Sequence, residues 1–390
     1  MNLVPLTYNL RSLWVRRSAT LLTVLGIGAT VAVLCGVLAL QQGFERLFTE
    51  NGRDDVIVFL RQGATNEGDS VFTRERAAIL MKTLPEIERP ADGEPLVSAE
   101  MYLAVRRDKI GKAGETNVPI RGVQQRTFDI IGDKLSIIDG RRFTPGTDEV
   151  IVGSKLVDRI ENCKTGDILQ LNTTPFRVVG VFDHDGPFKS EIWGDRDRMS
   201  EALERPVFNR VIAQLVPGTD IAALAERMEN DPQVPCQVMT ERDYFAKQTT
   251  AMSFVLRGLG VGLAFIMGFG AVFASTNTMF AALAARTHEI GIMLALGFRP
   301  YAIFLSFLFE SLVLGLLGGA VGCLLALPIN GVDTGTMNFQ TFTEVAFAFQ
   351  VTPQVMSWAV GYSLVLGLVG GTWPALRAAL MRPTVAMRHE

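Results

Sequence analysis

GLGVGLAFIMGFGAVFASTNTMFAALAA, residues Gly258–Ala285, runs 28 positions without a charged side chain, and RTHEIGIMLALGF, residues Arg286–Phe298, follows it directly. The first segment predicts a membrane span, because at about 1.5 Å of rise per residue roughly 20 apolar residues cross a ~30 Å hydrocarbon layer. The second is more than a turn needs. It sets Arg286, His288 and Glu289 around the apolar Ile290, Ile292, Met293 and Leu296, with Arg299 just beyond. A short amphipathic helix between two spans offers a face for a partner to grip.

Working outward, three further stretches are long enough to span. Arg17 and Glu45 enclose 27 uncharged residues, Pro300–Asn330 is interrupted only by Glu310, and Val345–Leu376 carries no charge. The first is nearly twice the ~7–15 residues of a secretory h-region and has no A-x-A site near Leu40, so it is expected to stay as a span. The segment from 42 to 250 is different material. It holds 35 acidic and 28 basic residues, net −7, within a chain that is 48% hydrophobic and 20% charged. About 200 residues suffice for a separate core.

Lys and Arg in the short loops set the orientation. Arg11, Arg16 and Arg17 precede the first span, Arg286 and Arg299 lie between the second and third, and Arg377, Arg382 and Arg388 follow the fourth. The loop between spans three and four has Asp333 and Glu344 and no base. The positive-inside rule makes both termini and the Arg286 loop cytoplasmic and the insert extracytoplasmic. Membrane lipid is a partner; nothing in this charge pattern points to nucleic acid.

The expected limits are a surface helix at 1–17 and spans at 18–41, 251–285, 300–330 and 352–380. Between them lie the insert at 42–250, the polar loop at 286–299, a short external loop at 331–351 and a tail at 381–390. The fold class is a membrane protein: four transmembrane α-helices with a large α+β domain inserted between the first and second. Within the insert, Asp55–Leu60, Leu96–Arg106, Asn117–Val123 and Asn209–Leu215 read as strands, and Thr73 reads as the cap of a helix that ends before Pro85. A β-rich subdomain near 139–194 contains Glu149–Val152, Gly166–Leu171 and Phe176–Phe182. Glu241–Arg257 is a polar helical run entering the second span, a stiff connection to the insert.

Within the spans, Gly258 and Gly262, Gly315 and Gly319, Gly318 and Gly322, and Gly367 and Gly371 each stand four apart. That spacing lets helices approach closely in lipid, where apolar burial drives association only weakly. Glu310 is the one ionisable group inside a span, and a polar contact to a neighbouring helix is its expected role. Cys35 and Cys323 fall within spans; Cys163 and Cys236 fall in the insert, where pairing is conceivable.

Catalytic chemistry finds little support. The sequence contains no G-x-x-x-x-G-K-[ST], H-E-x-x-H or G-x-S-x-G motif, and His184, His288 and His389 are scattered. Neither an enzyme site nor a metal site is expected. Asp183, His184 and Asp185 form a polar turn after a strand.

The run from Arg286 to Phe298 resembles the R-x-x-E-I-G-I-x-x-A-L-G loop of the FtsX-like, MacB-type family of ABC transporter permeases, through Arg286, Glu289, Ile290, Gly291, Ala295, Leu296 and Gly297. Trp373–Arg377 with Arg382 and Pro383 is similar to the family's closing motif, and Asn9 to Arg11 with Arg17 to Gly28 to its entry. Gly140–Phe143, Glu149–Gly153, Gly166–Asp167 and Val178–Phe182 resemble its periplasmic domain. The resemblance implies a bacterial inner-membrane permease without cofactor on this chain, ATP and Mg being bound by a partner ABC ATPase dimer in the cytoplasm. It also implies a coupling helix that docks on that ATPase, formed by Arg286, His288, Glu289, Ile290, Gly291, Ile292, Met293, Ala295, Leu296 and Gly297. A second permease, identical or related, is implied as well. A periplasmic adaptor and an outer-membrane channel are left open as further partners. The expected function is mechanotransmission: ATP hydrolysis reshapes the periplasmic domain for export or extraction of a substrate. The alternative is a transmembrane regulator of a periplasmic enzyme such as a cell-wall hydrolase, transporting nothing.

Overall fold

A computed structural model describes residues 6–49, 52–111, 114–338 and 343–382. The start of the expected surface helix, 1–5, and the tail beyond 382 lie outside the described residues. Helix α1 (Leu6–Val15) leads into α2 (Arg17–Thr49). The insert then runs β1 (Val56–Arg61), β2 (Phe72–Thr73), α3 (Arg74–Thr83), β3 (Val97–Asp108), β4 (Glu115–Val123), α4 (Gln125–Ile131), β5 (Leu135–Gly140) and β6 (Glu149–Gly153). It continues with β7 (Ile168–Leu171), β8 (Thr174–His184), β9 (Ile192–Asp195), α5 (Arg196–Ala202), β10 (Val207–Phe208), β11 (Arg210–Gln214), α6 (Ile221–Glu229) and β12 (Cys236–Thr240). The chain closes with α7 (Glu241–Ala285), α8 (Thr287–Ala295), α9 (Pro300–Ala326), β13 (Asp333–Asn338), β14 (Thr343–Ala348) and α10 (Pro353–Ala379).

Among the described residues, four helices are long and apolar enough to cross a membrane: Arg17–Phe48, Glu241–Ala285, Pro300–Ile329 and Pro353–Ala379. A helix satisfies its own backbone, which hydrocarbon requires. Two of them outrun the expected spans. α2 continues past 41 to Thr49, and α7 begins at Glu241 rather than 251, because their polar ends stay helical where composition is no longer lipid-like.

Contacts divide the chain into two compact units, 1–43 with 254–332 and 348–390, and 44–253 with 333–347. In the first, α9 packs on both α2 and α10 through glycine. A Cβ on Gly318 would stand 2.6 Å from Ile27, and one on Gly322 2.6 Å from Val31, both on α2. On the other side, a Cβ on Gly315 would meet the Ser363 carbonyl at 2.7 Å and one on Gly367 the Ser311 carbonyl at 2.5 Å. Side chains at Gly319 and Gly371 would run into Ser363 and Ser311. Gly258 and Gly262 differ: among the described residues, nothing lies within 4 Å of either Cβ position. Cys35 and Cys323 are buried in the apolar core these helices share with Ile27, Val31 and Leu366.

The second unit is built on a ten-stranded mixed sheet, order β12-β1-β11-β3-β4-β9-β6-β8-β5, with β7 added to β8. One core holds Ile57, Phe59, Leu80, Val211 and Leu224, beneath α3 and α6. A second holds Ile120, Val150, Val152, Phe176 and Met199, near the strands of the expected β-rich region. The α3 cap is the expected one: the Thr73 hydroxyl accepts from Arg76 N, satisfying a donor that the first turn leaves open. Cys163 lies in the second core and Cys236 in the first, both as free thiols, so they form no disulfide. The expected external loop at 331–351 contains the β13–β14 hairpin. Asp333 pairs with Lys155 at 2.6 Å, and the Phe347 ring meets Phe44 at 5.5 Å.

Candidate functional site

The chain bends at Arg286 (φ −121°, ψ 14°), whose carbonyl accepts from Ile290 N and starts α8. Gly297 ends the helix region with φ +90°, a conformation that costs glycine little, and Pro300 opens α9 at a position where its missing N–H is harmless. These two residues fix the short return between α8 and α9.

The side chains of this segment divide by direction. Arg286 turns inward: its Nη1 donates to Glu310 Oε2 at 3.2 Å, and Ser12 Oγ of α1 donates to Glu310 Oε1 at 3.1 Å. Arg286 and Glu310 are both buried. Ile290 is fully buried beside Leu283, Ile303 and Phe307, and Gly291 is buried with it, while Met293 packs against the same cluster. His288, Glu289, Ala295 and Gly297 are exposed. So are Ile292 at 42% and Leu296 at 74%, an unusual exposure for aliphatic side chains beside charged ones. Of the ten residues expected to form a docking face, Arg286, Ile290 and Gly291 therefore anchor the segment to its own chain. The outward set is His288, Glu289, Ile292, Ala295, Leu296 and Gly297. Glu310 takes up the inter-helix contact, with α1 and the α7–α8 bend as its partners.

In the inserted domain the structure assembles a charge cluster that sequence reading missed. Sheet register creates it. On β3, Glu100 and Tyr102 alternate with Ala99 and Met101, and the pairings Arg210 with Glu100, Arg121 with Tyr102, and Arg121 with Trp193 bring one face of four strands together. Arg121 donates to Glu191 through Nε at 2.7 Å and Nη2 at 2.8 Å, and to Glu67 at 2.8 and 2.7 Å. Glu100 accepts from Arg121 at 3.2 Å and from Arg210 Nε at 2.8 Å. The Phe188 ring lies 5.1 Å from the Arg121 guanidinium and 5.5 Å from that of Arg210.

All five charged side chains are buried. Burial opposes ionisation of Glu67, but Arg121 and Arg210 outweigh it and hold its carboxyl below the ordinary value. For Glu191 burial wins over Arg121, and its carboxyl is raised. The sequence signal is a charged residue among the apolar positions of three strands: Glu100 in β3, Arg121 in β4 and Arg210 at the start of β11.

His184, at the end of β8, is buried; burial lowers it from 6.5 to about 4, and its Nδ1 accepts from Gly186 N at 2.7 Å. Among the described residues, no group of three His, Cys, Asp or Glu side chains is arranged to hold a metal ion.

Residues 20–231 match the family described as the MacB-like periplasmic core domain, and residues 261–383 match the FtsX-like permease C-terminal family. The macrolide export ATP-binding/permease protein MacB of Nitrosomonas europaea is 27% identical over 408 residues, covering 97% of this chain and 58% of that protein. The pyoverdine export ATP-binding/permease protein PvdT of Pseudomonas aeruginosa is 27% identical over 412 residues, with coverage of 97% and 58%. This chain thus spans less than two thirds of either relative. The ABC transporter permease YknZ of Bacillus subtilis is 25% identical over 415 residues, covering 98% of both chains. With a MacB-like domain set between the first and second of four membrane-length helices and an FtsX-like region after it, the chain belongs to the FtsX-like, MacB-type family of ABC transporter permeases.

Proposed function

We propose that this chain is the permease subunit of an ABC transporter in which a separate cytoplasmic ATPase dimer binds ATP and Mg, and that α8 is where the two meet. The carrying observation is the division of α8: an outward face with Ile292 at 42% and Leu296 at 74% exposure beside His288 and Glu289, and an inward face held by Ile290 and the Arg286–Glu310 pair. An apolar helix face rimmed by charge suits a groove on a partner, where the apolar residues supply affinity and the charges fix register. The likeness to YknZ over 98% of both chains supports the same reading.

In this scheme the chain sits in the inner membrane with both termini inside. Two permeases, identical or related, pair about a two-fold axis to match the ATPase dimer. Closure of the ATPase moves α8, and the unbroken helix α7, Glu241–Ala285, carries that motion to the inserted domain, which exports or extracts the substrate. A periplasmic adaptor and an outer-membrane channel are left open as further partners in this scheme.

Affinity purification from native membranes tests this. The wild-type chain is expected to bring down an ATP-hydrolysing partner, and the Ile292→Asp/Leu296→Asp variant, which changes only exposed positions, is expected to lose it. Retention of the ATPase by that variant would falsify the docking assignment.

A further inference from the structure

In the inserted domain, α3, the 85–95 loop and the start of α5 line an open cavity of about 410 Å³ beside β10. Its floor is apolar, with buried Ala77 and Phe208 and half-buried Met81. Four cations from three elements surround it: Arg74 and Lys82 on α3, Arg89 on the loop and Arg196 on α5. Two acids, Glu94 and Asp197, stand against them. Asp197 is engaged by Arg196 at 2.8 Å and lies 3.9 Å from Arg74. Arg196 also stacks 4.6 Å from the Phe208 ring, which fixes its position at the edge of the floor. The charged lining residues, four cations against two acids, are net +2; Lys82 and Arg89 are exposed, and Arg89 Nη1 donates to the Gly93 carbonyl at 3.4 Å. That excess is local, since the segment from 42 to 250 is net −7.

An acidic domain repels anions at long range, so a cationic hollow within it selects by close contact. The volume lies in the roughly 300–1,000 Å³ range of small-molecule sites, and the hollow is open to solvent on one side, room for a single compact ligand. We propose that this cavity binds a small, water-soluble, amphipathic organic anion, its apolar body on Met81 and Phe208 and its anionic group answered by Lys82 and Arg89. The inference concerns ligand binding by this domain and stands whether or not an ATPase docks on α8.

The full chain in phosphatidylcholine nanodiscs provides the test, read by fluorine NMR with fluoronaphthoate and its neutral counterpart fluoronaphthamide. The naphthoate line is expected to broaden beyond its width with empty discs, with affinity at least about tenfold above that of the amide. The Lys82→Glu/Arg89→Glu variant is expected to lose that broadening, and Lys82→Gln/Arg89→Gln to lose most of it. Both positions are exposed, so folding is preserved. Equal binding of the amide, broadening that survives the Glu variant, or no broadening beyond empty discs would each overturn the proposal.

Discussion

Arg286 Nη1 lies 3.2 Å from Glu310 Oε2, and both side chains are buried. The pair joins the α7–α8 bend to α9, and Ser12 brings in α1. Removing one member leaves the other as an uncompensated buried charge, at a cost of about 3–5 kcal/mol. Glu310→Leu and Arg286→Met are each expected to lower the melting temperature of the nanodisc-embedded protein. The Arg286→Met/Glu310→Leu double variant is expected to recover much of the loss, because neither charge then remains. A double variant that melts as low as the sum of the singles would show that the two residues are not coupled.

The cluster around Arg121 sets a sharper requirement. Arg121→Met strips the counter-charge from Glu67 and Glu191 together, and a loss of at least about 3–5 kcal/mol is expected. Arg121→Lys should not restore stability, because a single ammonium cannot reproduce a fork that serves two carboxylates in bidentate fashion. Denaturant unfolding of the two variants decides this. A lysine variant with wild-type stability would mean that charge alone, without the fork, suffices.

Glycines of identical spacing are expected to behave oppositely. Gly315→Leu drives a side chain into the Ser363 carbonyl and should destabilise by more than the 1–3 kcal/mol typical of overpacking, roughly. Gly262→Leu points into open space in its own chain and should leave the melting of the isolated chain nearly unchanged. Similar melting shifts for the two would contradict the helix arrangement.

His184 gives the pH dependence a definite sign. Its folded value of about 4 lies below the ordinary 6.5, so the unfolded chain takes up a proton first as pH falls. The contribution is fully present above about pH 6.5 and is lost progressively toward pH 4, amounting to about 3 kcal/mol over that window. His184→Gln should flatten the stability profile between those limits, as measured by thermal unfolding at closely spaced pH values. An unchanged slope in the variant would assign the loss to other groups.

Local patterns were readable where local physics decides the outcome. Uncharged runs marked the four long helices, and Thr73 ahead of Arg76 marked the start of α3. The Arg121 cluster escaped because its partners stand 54 and 70 positions away in sequence and meet only through sheet register. On α8 both faces carry apolar residues, so periodicity alone did not reveal that Ile290 faces inward and Leu296 outward. The same limit applies to glycine spacing, which does not reveal whether a neighbouring helix is present. The paired strands β13 and β14 lie in a segment that the sequence marks only by its lack of basic residues.

The most direct test of α8 as the docking helix is site-specific photo-crosslinking from its two faces in native membranes. A photoreactive side chain at Leu296 or Ile292 is expected to capture an ATP-binding chain, while one at the buried Ile290 captures only this chain. Capture of the ATPase from Ile290 but not from Leu296, or from neither face, would contradict the proposed orientation.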